Sequence, residues 1–245
     1  MQLFNGDCLE VLKTIPNNSI DLIVTDPPYL IENTNPGNDS ELSKSISHMN
    51  KQLADGIFTE GIENKLLEEF LRVLKTPNIY IWCNHKQLPQ YLDFFVTQNK
   101  CKFDILIWNK TNALPLYNNK YLTDKEYCLY FRRGGYCNPE TYDEAKTVYY
   151  TPINQKDKEL YDHPTIKPLS IIKNLVKNSS KENDVVLDCF MGSGTTGVAC
   201  KQLNRNFIGI EIDKKYFEIA KNRIEGTTNK PKDVGLFDFL EQENI

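Results

Sequence analysis

Short apolar segments alternate with amphipathic segments along most of the chain, and this alternation restricts the folds that the chain can adopt. The apolar segments have the length and the residue content of buried strands, whereas the amphipathic segments repeat apolar residues at helical spacing. Strands that alternate with helices predict an α/β fold with a mixed, mostly parallel, doubly wound sheet. We predict strands at 1–5, 20–25, 78–83, 103–108, 126–131, 184–189 and 206–212, and helices at 8–15, 63–74, 87–98, 168–178, from about 195, and at 213–224.

The length and composition fit an ordinary globular protein. A chain of 245 residues with 40% hydrophobic and 25% charged residues can form one large α/β domain or two small ones. No apolar run reaches the roughly 18–20 residues of a membrane span, and the first residues do not resemble a signal peptide. The seven cysteines form no C-x-x-C pair and the three histidines are isolated, which predicts free thiols, a cytoplasmic location and no metal site.

The charge distribution permits a nucleic-acid partner without requiring one. The net charge of −4 alone disfavours such a partner. Between Lys86 and Arg133, however, eight basic residues accompany only four acidic ones. A local basic strip can contact a phosphate backbone although the whole protein is acidic, but a solvated surface would give the same pattern.

The tetrapeptide Asp26-Pro27-Pro28-Tyr29 follows a predicted strand and is suited to chemistry on a planar exocyclic amine. The Asp26 carboxylate and the Pro27 carbonyl can accept hydrogen bonds from an NH2 group, and Tyr29 can stack on a flat base. The two prolines fix φ, so the loop is stiff. Alone, the tetrapeptide could equally be a turn after a buried strand.

A second motif has the order strand, glycine turn, helix. It contains Asp188, Gly192 and Gly194, and the next strand ends at Glu211, 23 residues after Asp188. A carboxylate about 20 residues beyond such a turn binds ribose hydroxyls in βαβ nucleotide sites. Because Asp188 would repel a pyrophosphate, the motif predicts a nucleoside ligand that has a positive charge and no phosphates.

Together these segments resemble the S-adenosylmethionine-dependent DNA amino-methyltransferases of the beta permutation group. In that group the D-P-P-Y motif comes first and the F-x-G-x-G motif, here Phe190–Gly194, comes last. A third family element, H-P-T-Q-K-P, appears as His163–Pro168, with Ile166 in place of Gln. The segments 5–9 and 209–213 match as well. The resemblance implies a circularly permuted, seven-stranded class I methyltransferase sheet within a single catalytic domain at 1–225.

The resemblance also implies the site residues. Asp26, Pro27, Pro28 and Tyr29 would be catalytic, and the target base would flip out of the duplex to reach them. Asp188, Phe190, Gly192 and Gly194 would line the methionine end of the cofactor, Glu211 would bind its ribose, and Asp7 and Cys8 its adenine. Thr165 and Lys167 would support the carboxylate of its methionine part. The complete expected cofactor set is Asp7, Cys8, Asp26, His163, Thr165, Lys167, Asp188, Phe190, Gly192, Gly194, Thr195, Glu211 and Ile212.

The implied reaction is transfer of the methyl group to N6 of adenine at a specific DNA site. Three alternatives remain open: N4 methylation of cytosine, methylation of RNA or a protein glutamine, and an inactive DNA-binding subunit. An aspartate before Pro-Pro favours adenine, because the cytosine enzymes more often have serine there. The resemblance also allows a homodimer and a cognate restriction endonuclease as partners.

Target recognition is expected between the two motif-bearing halves. We predict that Trp108, Lys110 and Asn112 contact DNA within a recognition region at 109–162. The polar segment 32–60 is expected to be a flexible loop, and 226–245 a loosely attached tail.

Overall fold

The computed structural model describes residues 1–30, 61–115, 119, 121–153, 155–161 and 165–226. Its strands are β1 (Gln2–Asn5), β2 (Leu22–Thr25), β3 (Asn78–Cys83), β4 (Lys102–Lys110), β5 (Lys125–Arg132), β6 (Val148–Thr151), β7 (Val185–Asp188) and β8 (Asn206–Glu211). Its helices are α1 (Cys8–Leu12), α2 (Asn64–Val73), α3 (Leu88–Leu92), α4 (Gln155–Leu160), α5 (Leu169–Ser179), α6 (Thr195–Gln202) and α7 (Lys214–Glu225). Within these ranges, none of the helices has the length and apolar character needed to cross a bilayer.

The described strands form one sheet in the order β1-β8-β7-β2-β3-β5-β4-β6. The first five strands in this order run parallel to one another. β5 is antiparallel to both β3 and β4, and β6 returns parallel to β4. The predicted mixed, mostly parallel sheet is therefore confirmed.

The sheet has eight strands among the described residues, one more than the seven expected. The additional strand is β6, which lies in a segment that has no clear alternation of apolar and polar residues in the sequence. It forms because its four residues pair with the last four residues of β4. The predicted helix at 87–98 is also divided: it begins as α3 and continues as a π-helical segment, Asp93–Gln98.

Helices cover both faces of the sheet, as the doubly wound pattern predicts. On one face, apolar side chains of α1, α2 and α3 pack against the strands, with Leu67, Phe70 and Tyr91 fully buried. On the other face, α5, α6 and α7 form the second core layer, in which Val176 and Ala199 are fully buried. The central strands of the sheet are buried on both faces, which is typical of parallel sheets.

The topology brings the two sequence motifs to one edge of the sheet. Because β7 and β2 are parallel neighbours, their carboxyl ends meet there, and Asp188 and Asp26 lie at these ends. Glu211 closes β8 and Asp7 follows β1 at the same edge. β5 runs in the opposite direction, so its first residues, including Glu126, also lie at this edge. In open α/β sheets this is where ligands bind.

Candidate active site

A cavity of about 780 Å³ opens at the carboxyl edge of the parallel strands. Its volume lies within the range of small-molecule sites in proteins. All four residues of the Asp26–Tyr29 motif line it. Every expected cofactor residue in the described part of the chain also lines it, with the exception of Gly194. The structure therefore unites the two motifs, which are far apart in the sequence, around one space.

The two carboxylate oxygens of Asp26 have different surroundings. Its Oδ2 accepts a hydrogen bond of 2.5 Å from Nζ of Lys167. Its Oδ1 is buried and has no hydrogen-bond partner among the described residues. The loop that carries Asp26 is fixed from behind, because Nε2 of Gln87 donates to the Pro28 carbonyl at 2.9 Å. Asp26, which lines the cavity, thus has one oxygen bound by Lys167 and one buried oxygen without a partner among the described residues.

Glu126 ties the rest of this acidic cluster together. The Tyr29 hydroxyl donates to its Oε2 at 3.1 Å, and the Lys167 ammonium lies 3.0 Å from the same oxygen. The Lys110 ammonium contacts its Oε1 at 2.5 Å. The Lys167 ammonium also lies 5.4 Å from the centre of the Tyr29 ring. Glu126 therefore sets the position of both the aromatic ring and the cation beside Asp26.

The charges in this cluster influence the proton affinity of each member. Burial raises the pKa of Asp26, although the Lys167 ammonium opposes this effect. Burial also acts to raise the pKa of Glu126, but Lys167 and Lys110 outweigh it and hold that pKa at about 2. Both carboxylates raise the pKa of Lys167 despite its burial. Lys167 and Glu126 are consequently charged over the whole physiological range.

The glycine turn and Glu211 form a single hydrogen-bonded unit. The Gly192 N–H donates to Oε2 of Glu211 at 2.9 Å, and the Asp213 N–H donates to Oε1 at 2.9 Å. Burial raises the pKa of Glu211, whereas these N–H donors lower it. A carboxylate has about four lone-pair positions, so the two backbone bonds leave room for ribose hydroxyls.

Gly194 supports this turn from outside the cavity. It has a φ of 81°, and a Cβ atom there would lie 3.1 Å from the Cα atom of Ala220 in α7. Only glycine combines this left-handed backbone with so close a helix. The role of Gly194 is thus to let α6 begin against α7, while Gly192 lines the cavity.

Asp188 is buried and accepts three hydrogen bonds. Oδ1 accepts from the Thr25 hydroxyl at 2.9 Å and from the Phe190 N–H at 3.1 Å, while Oδ2 accepts from the Thr196 hydroxyl at 2.7 Å. Burial nevertheless raises the pKa of Asp188 to about 7, because the hydroxyl and N–H donors only partly replace water. A cationic ligand nearby would favour the ionised form.

The remaining expected cofactor residues have different positions. Asp7 caps α1 by accepting from the Glu10 N–H at 3.1 Å, and Cys8 begins that helix. The Lys167 ammonium, which was expected beside the cofactor carboxylate, is held by Asp26 and Glu126. Ile166, which replaces the glutamine of the family motif, is buried. His163 lies outside the described residues.

The three residues expected to contact DNA do not lie together on a free surface. Trp108 is only 3% exposed and its indole N–H donates to the Thr151 hydroxyl at 2.8 Å, so it packs in the core and has no surface for a base. Asn112 uses its side-chain oxygen to accept from the Ile153 N–H at 2.6 Å. Lys110 lines the cavity, where it pairs with Glu126. Of the three, only Lys110 adjoins the candidate active site.

Sequence reasoning did not identify two residues that shape the site. Glu126 lies at the start of an antiparallel strand, and only the pairing of β5 with β3 and β4 brings it to the cavity. Arg223, on α7, donates from Nη1 to the Ser193 hydroxyl and to the Thr195 hydroxyl, both at 3.0 Å. It thereby fastens the glycine turn. The signal in the sequence was that Arg223 is a basic residue on an otherwise apolar face of the predicted helix.

Comparisons with known proteins agree with this geometry. Residues 20–222 match the family described as DNA methylase. The chain is 31% identical to the Type II methyltransferase M.HinfI of Haemophilus influenzae, over 96% of this chain and 71% of the relative. It is 32% identical to the Type II methyltransferase M2.LlaDCHI of Lactococcus lactis subsp. cremoris, over 96% of this chain and 91% of the relative.

A solved structure adds the corresponding fold. The crystal structure of the M1.HpyAVI–SAM complex matches with a TM-score of 0.65 and 26% identity, covering 91% of this chain and 98% of the other. The agreement of the fold, of the sequence family and of both motifs along most of the chain leads to one conclusion. This chain belongs to the DNA methylase family.

Proposed function

We propose that this protein transfers the methyl group of S-adenosylmethionine to the exocyclic N6 of adenine in DNA. The observation that carries the proposal is the position of Asp26, which lines the same cavity as the glycine turn and Glu211. Two ligands, a nucleoside cofactor and a base with an amine, can therefore meet in one space.

The described residues fit the cofactor. S-adenosylmethionine, when bound, supplies an electrophilic methyl group on a cationic sulfur. The buried acids Asp188 and Glu211 provide negative charge and hydroxyl acceptors, and Phe190 and Ile212 provide apolar contact. The relative M1.HpyAVI was solved as a complex with SAM, which supports the same ligand here. Asp7, Cys8, Thr165 and Thr195 complete the proposed lining.

Asp26 and the Pro27 carbonyl orient the target amine. An adenine amine is a weak nucleophile because its lone pair is delocalised into the ring. Two acceptors that bind its two N–H groups favour a pyramidal nitrogen whose lone pair points at the methyl group. Holding the reacting atoms in this geometry can supply about 7–11 kcal/mol of the acceleration. The proton leaves after the nitrogen has become cationic, and Asp26 is the nearest acceptor for it.

The target base must leave the duplex to reach Asp26, at a cost of roughly a few kcal/mol. The Tyr29 ring, held through its hydroxyl by Glu126, offers a stacking surface inside the cavity. Lys86 and Lys125 also line the cavity and offer contacts to DNA phosphates. These positions support a DNA-binding surface around the mouth of the cavity.

The family supports the proposed substrate. DNA is the substrate of the DNA methylase family. Asp26 before Pro27-Pro28 favours adenine over cytosine, as the resemblance of the motif implies. We further propose that residues 1–225 act as one catalytic domain in the cytoplasm. The relatives named Type II methyltransferases support a cognate endonuclease as a partner, and the family resemblance supports a homodimer.

The test is methyl transfer from labelled S-adenosylmethionine to unmethylated bacterial DNA, followed by nucleoside mass spectrometry and mapping of the modified positions. We expect N6-methyladenine at one short sequence. N4-methylcytosine would retain the mechanism and overturn the proposed base. Absence of label in DNA, with cofactor binding intact, would contradict the proposal and direct attention to RNA or to a binding role.

A further inference from the structure

The target amine and the Lys167 ammonium would both bind the carboxylate of Asp26. A target amine needs the Asp26 carboxylate as its acceptor. Oδ1 of that carboxylate is buried, which leaves Oδ2 to receive the amine, and the Lys167 ammonium already occupies Oδ2 at 2.5 Å. An ammonium and an exocyclic amine are both small N–H donors, so each can take the position of the other. Asp26 therefore requires either a change of partner or a rearrangement when the base arrives.

A second acceptor for Lys167 is already in place. Oε2 of Glu126 lies 3.0 Å from the same Nζ atom, and the lysine side chain is only 8% exposed. A buried ammonium that lost its only anion would face a large desolvation cost. Because Glu126 remains, Lys167 can release Asp26 and keep an ion pair. Lys110 on the other oxygen holds Glu126 in position throughout.

We propose that Lys167 is a place-holder for the target amine: its ammonium occupies Asp26 in the free enzyme and moves fully to Glu126 when the flipped base binds. Lys167 and Glu126 are positioning residues, since both act through Asp26. The inference rests on the proposed function and extends it to the step in which the base enters. It also replaces the expected contact of Lys167 with the cofactor carboxylate.

The two positioning residues have opposite electrostatic effects on Asp26. The ammonium of Lys167 lowers the pKa of Asp26, whereas the carboxylate of Glu126 raises it, both on top of the increase from burial. Transfer needs ionised Asp26, so the rate falls on the acid side as the pH drops through this pKa. The other titratable groups around the pair are Tyr29, Cys83, Lys110, Cys128, Lys158 and Asp188.

The experiment compares kcat against pH and KM for DNA in the wild type, Lys167→Met and Glu126→Gln. We expect the acid limb, the fall of kcat at low pH, to move to higher pH in Lys167→Met by about one unit or more, because Asp26 loses its cation and still faces Glu126. We expect it to move to lower pH in Glu126→Gln. In that variant Lys167 has no alternative anion, stays on Asp26 and raises KM for DNA at least about tenfold, which corresponds to about 1.4 kcal/mol.

The double variant Glu126→Gln/Lys167→Met shows whether Lys167 competes with the target amine or only supports the fold. If Lys167 blocks Asp26 in Glu126→Gln, then adding Lys167→Met removes the competitor, and KM for DNA recovers toward the wild-type value. If Lys167 only supports the fold, the second change weakens DNA binding further. Cofactor affinity, measured by calorimetry with S-adenosylmethionine, is expected to stay within about threefold in all variants. Glu144→Gln, which disturbs a remote ion pair with Lys177, is the matched control and should leave the pH profile unchanged.

Several results would overturn the inference. The first is that the acid limbs of Lys167→Met and Glu126→Gln move in the same direction or do not move. The second is that the double variant has a higher KM for DNA than Glu126→Gln. The third is a large loss of cofactor affinity in Lys167→Met. If Lys167→Met does not fold, the direction of the limb and of KM in Glu126→Gln decides. The wild-type measurement distinguishes the inference from the proposed function. If the wild type methylates adenine but the acid limbs of the two variants do not shift in opposite directions, only the place-holder role of Lys167 is rejected. If the wild type does not methylate DNA, the proposed function is rejected and the inference with it.

Discussion

Two aspartates at the carboxyl ends of neighbouring strands have very different surroundings. Asp26 lies in a cluster that contains two ammonium groups and a second carboxylate. Asp188 has only neutral donors, the Thr25 and Thr196 hydroxyls and a backbone N–H. In the first arrangement the Lys167 ammonium partly offsets the burial that raises the pKa of Asp26. The second leaves a carboxylate whose charge is poorly compensated until a cation binds.

This difference predicts a stabilising substitution in the cofactor pocket. The pKa of Asp188 is about 7 in the folded protein, above the value of about 3.9 for an unfolded aspartate. The folded state therefore retains a proton between about pH 4 and 7 that the unfolded state loses, and stability falls as the pH rises through this window. Asp188→Asn removes this cost. We expect a rise in Tm of several degrees at pH 8 and a smaller rise at pH 5, measured by calorimetry.

The geometry of the three hydrogen bonds makes asparagine a suitable replacement. Thr25 and Phe190 both donate to one oxygen, which asparagine retains, and its NH2 group can donate to the Thr196 hydroxyl. Asp188→Ala is the matched control, since it removes the charge but leaves these donors unpaired, and it should be destabilising. Cofactor affinity should fall in both variants. A Tm for Asp188→Asn that is lower at pH 8 than that of the wild type would contradict the account.

At the scale of elements, the turn between β7 and α6 depends on close packing with α7. Gly194 has a left-handed backbone, and its Cα lies against the backbone of Ala220. Arg223, from the same helix as Ala220, donates to the hydroxyls of Ser193 and Thr195. The turn that lines the cofactor pocket is therefore positioned by a helix that does not itself line that pocket.

Gly194→Ala tests this dependence against a matched glycine. Gly134 has a similar φ of 84°, but a Cβ there would have nothing within 4 Å. Gly134→Ala should therefore cost only the left-handed strain, about 1–2 kcal/mol. Gly194→Ala adds a clash with the Ala220 backbone, and we expect a larger loss of unfolding free energy together with weaker cofactor binding. Denaturant unfolding and calorimetry measure both. Equal losses in the two variants would show that the packing against α7 is unimportant.

The sequence predicted the elements whose patterns are local. The strand before Asp26 and the strand–turn–helix around Gly192 were located to within a few residues, because strand, turn and helix preferences agree there. β6 was missed because its pairing with β4 alone creates it. Trp108, an aromatic beside a lysine and an asparagine, is predicted from the sequence to contact DNA, but it is buried and makes a T-shaped contact with Trp82 from β3. Glu126 depends in the same way on strand order.

At the scale of the molecule, a parallel sheet joins two halves that the chain keeps apart. The amine-binding loop follows β2 and the cofactor turn follows β7, and the two strands are hydrogen-bonded neighbours. The antiparallel strands β4 and β5 extend the same edge and bring Lys110, Lys125 and Glu126 to it. Three basic residues of the middle segment, Lys86, Lys110 and Lys125, thus line the cavity, although the whole protein is acidic.

This placement predicts a local electrostatic contribution to DNA binding. Lys125 is exposed and lines the cavity mouth. Lys125→Ala should weaken binding to an unmethylated duplex and reduce the slope of log K against log salt concentration by about 1. Lys181, an exposed lysine before β7 at the opposite edge of the sheet, is the control. Equal effects of Lys125→Ala and Lys181→Ala in a salt titration would show that the DNA surface is not at the cavity mouth.

The most direct test of the proposed chemistry is single-turnover methyl transfer by Asp26→Ala, with cofactor and DNA affinities measured on the same preparation. The substitution removes the amine acceptor and leaves Lys167 paired with Glu126, so the fold and both binding sites should persist. We expect a loss of transfer of at least about 100-fold, with both affinities close to those of the wild type. Transfer by Asp26→Ala at a rate near that of the wild type would contradict the proposed chemistry.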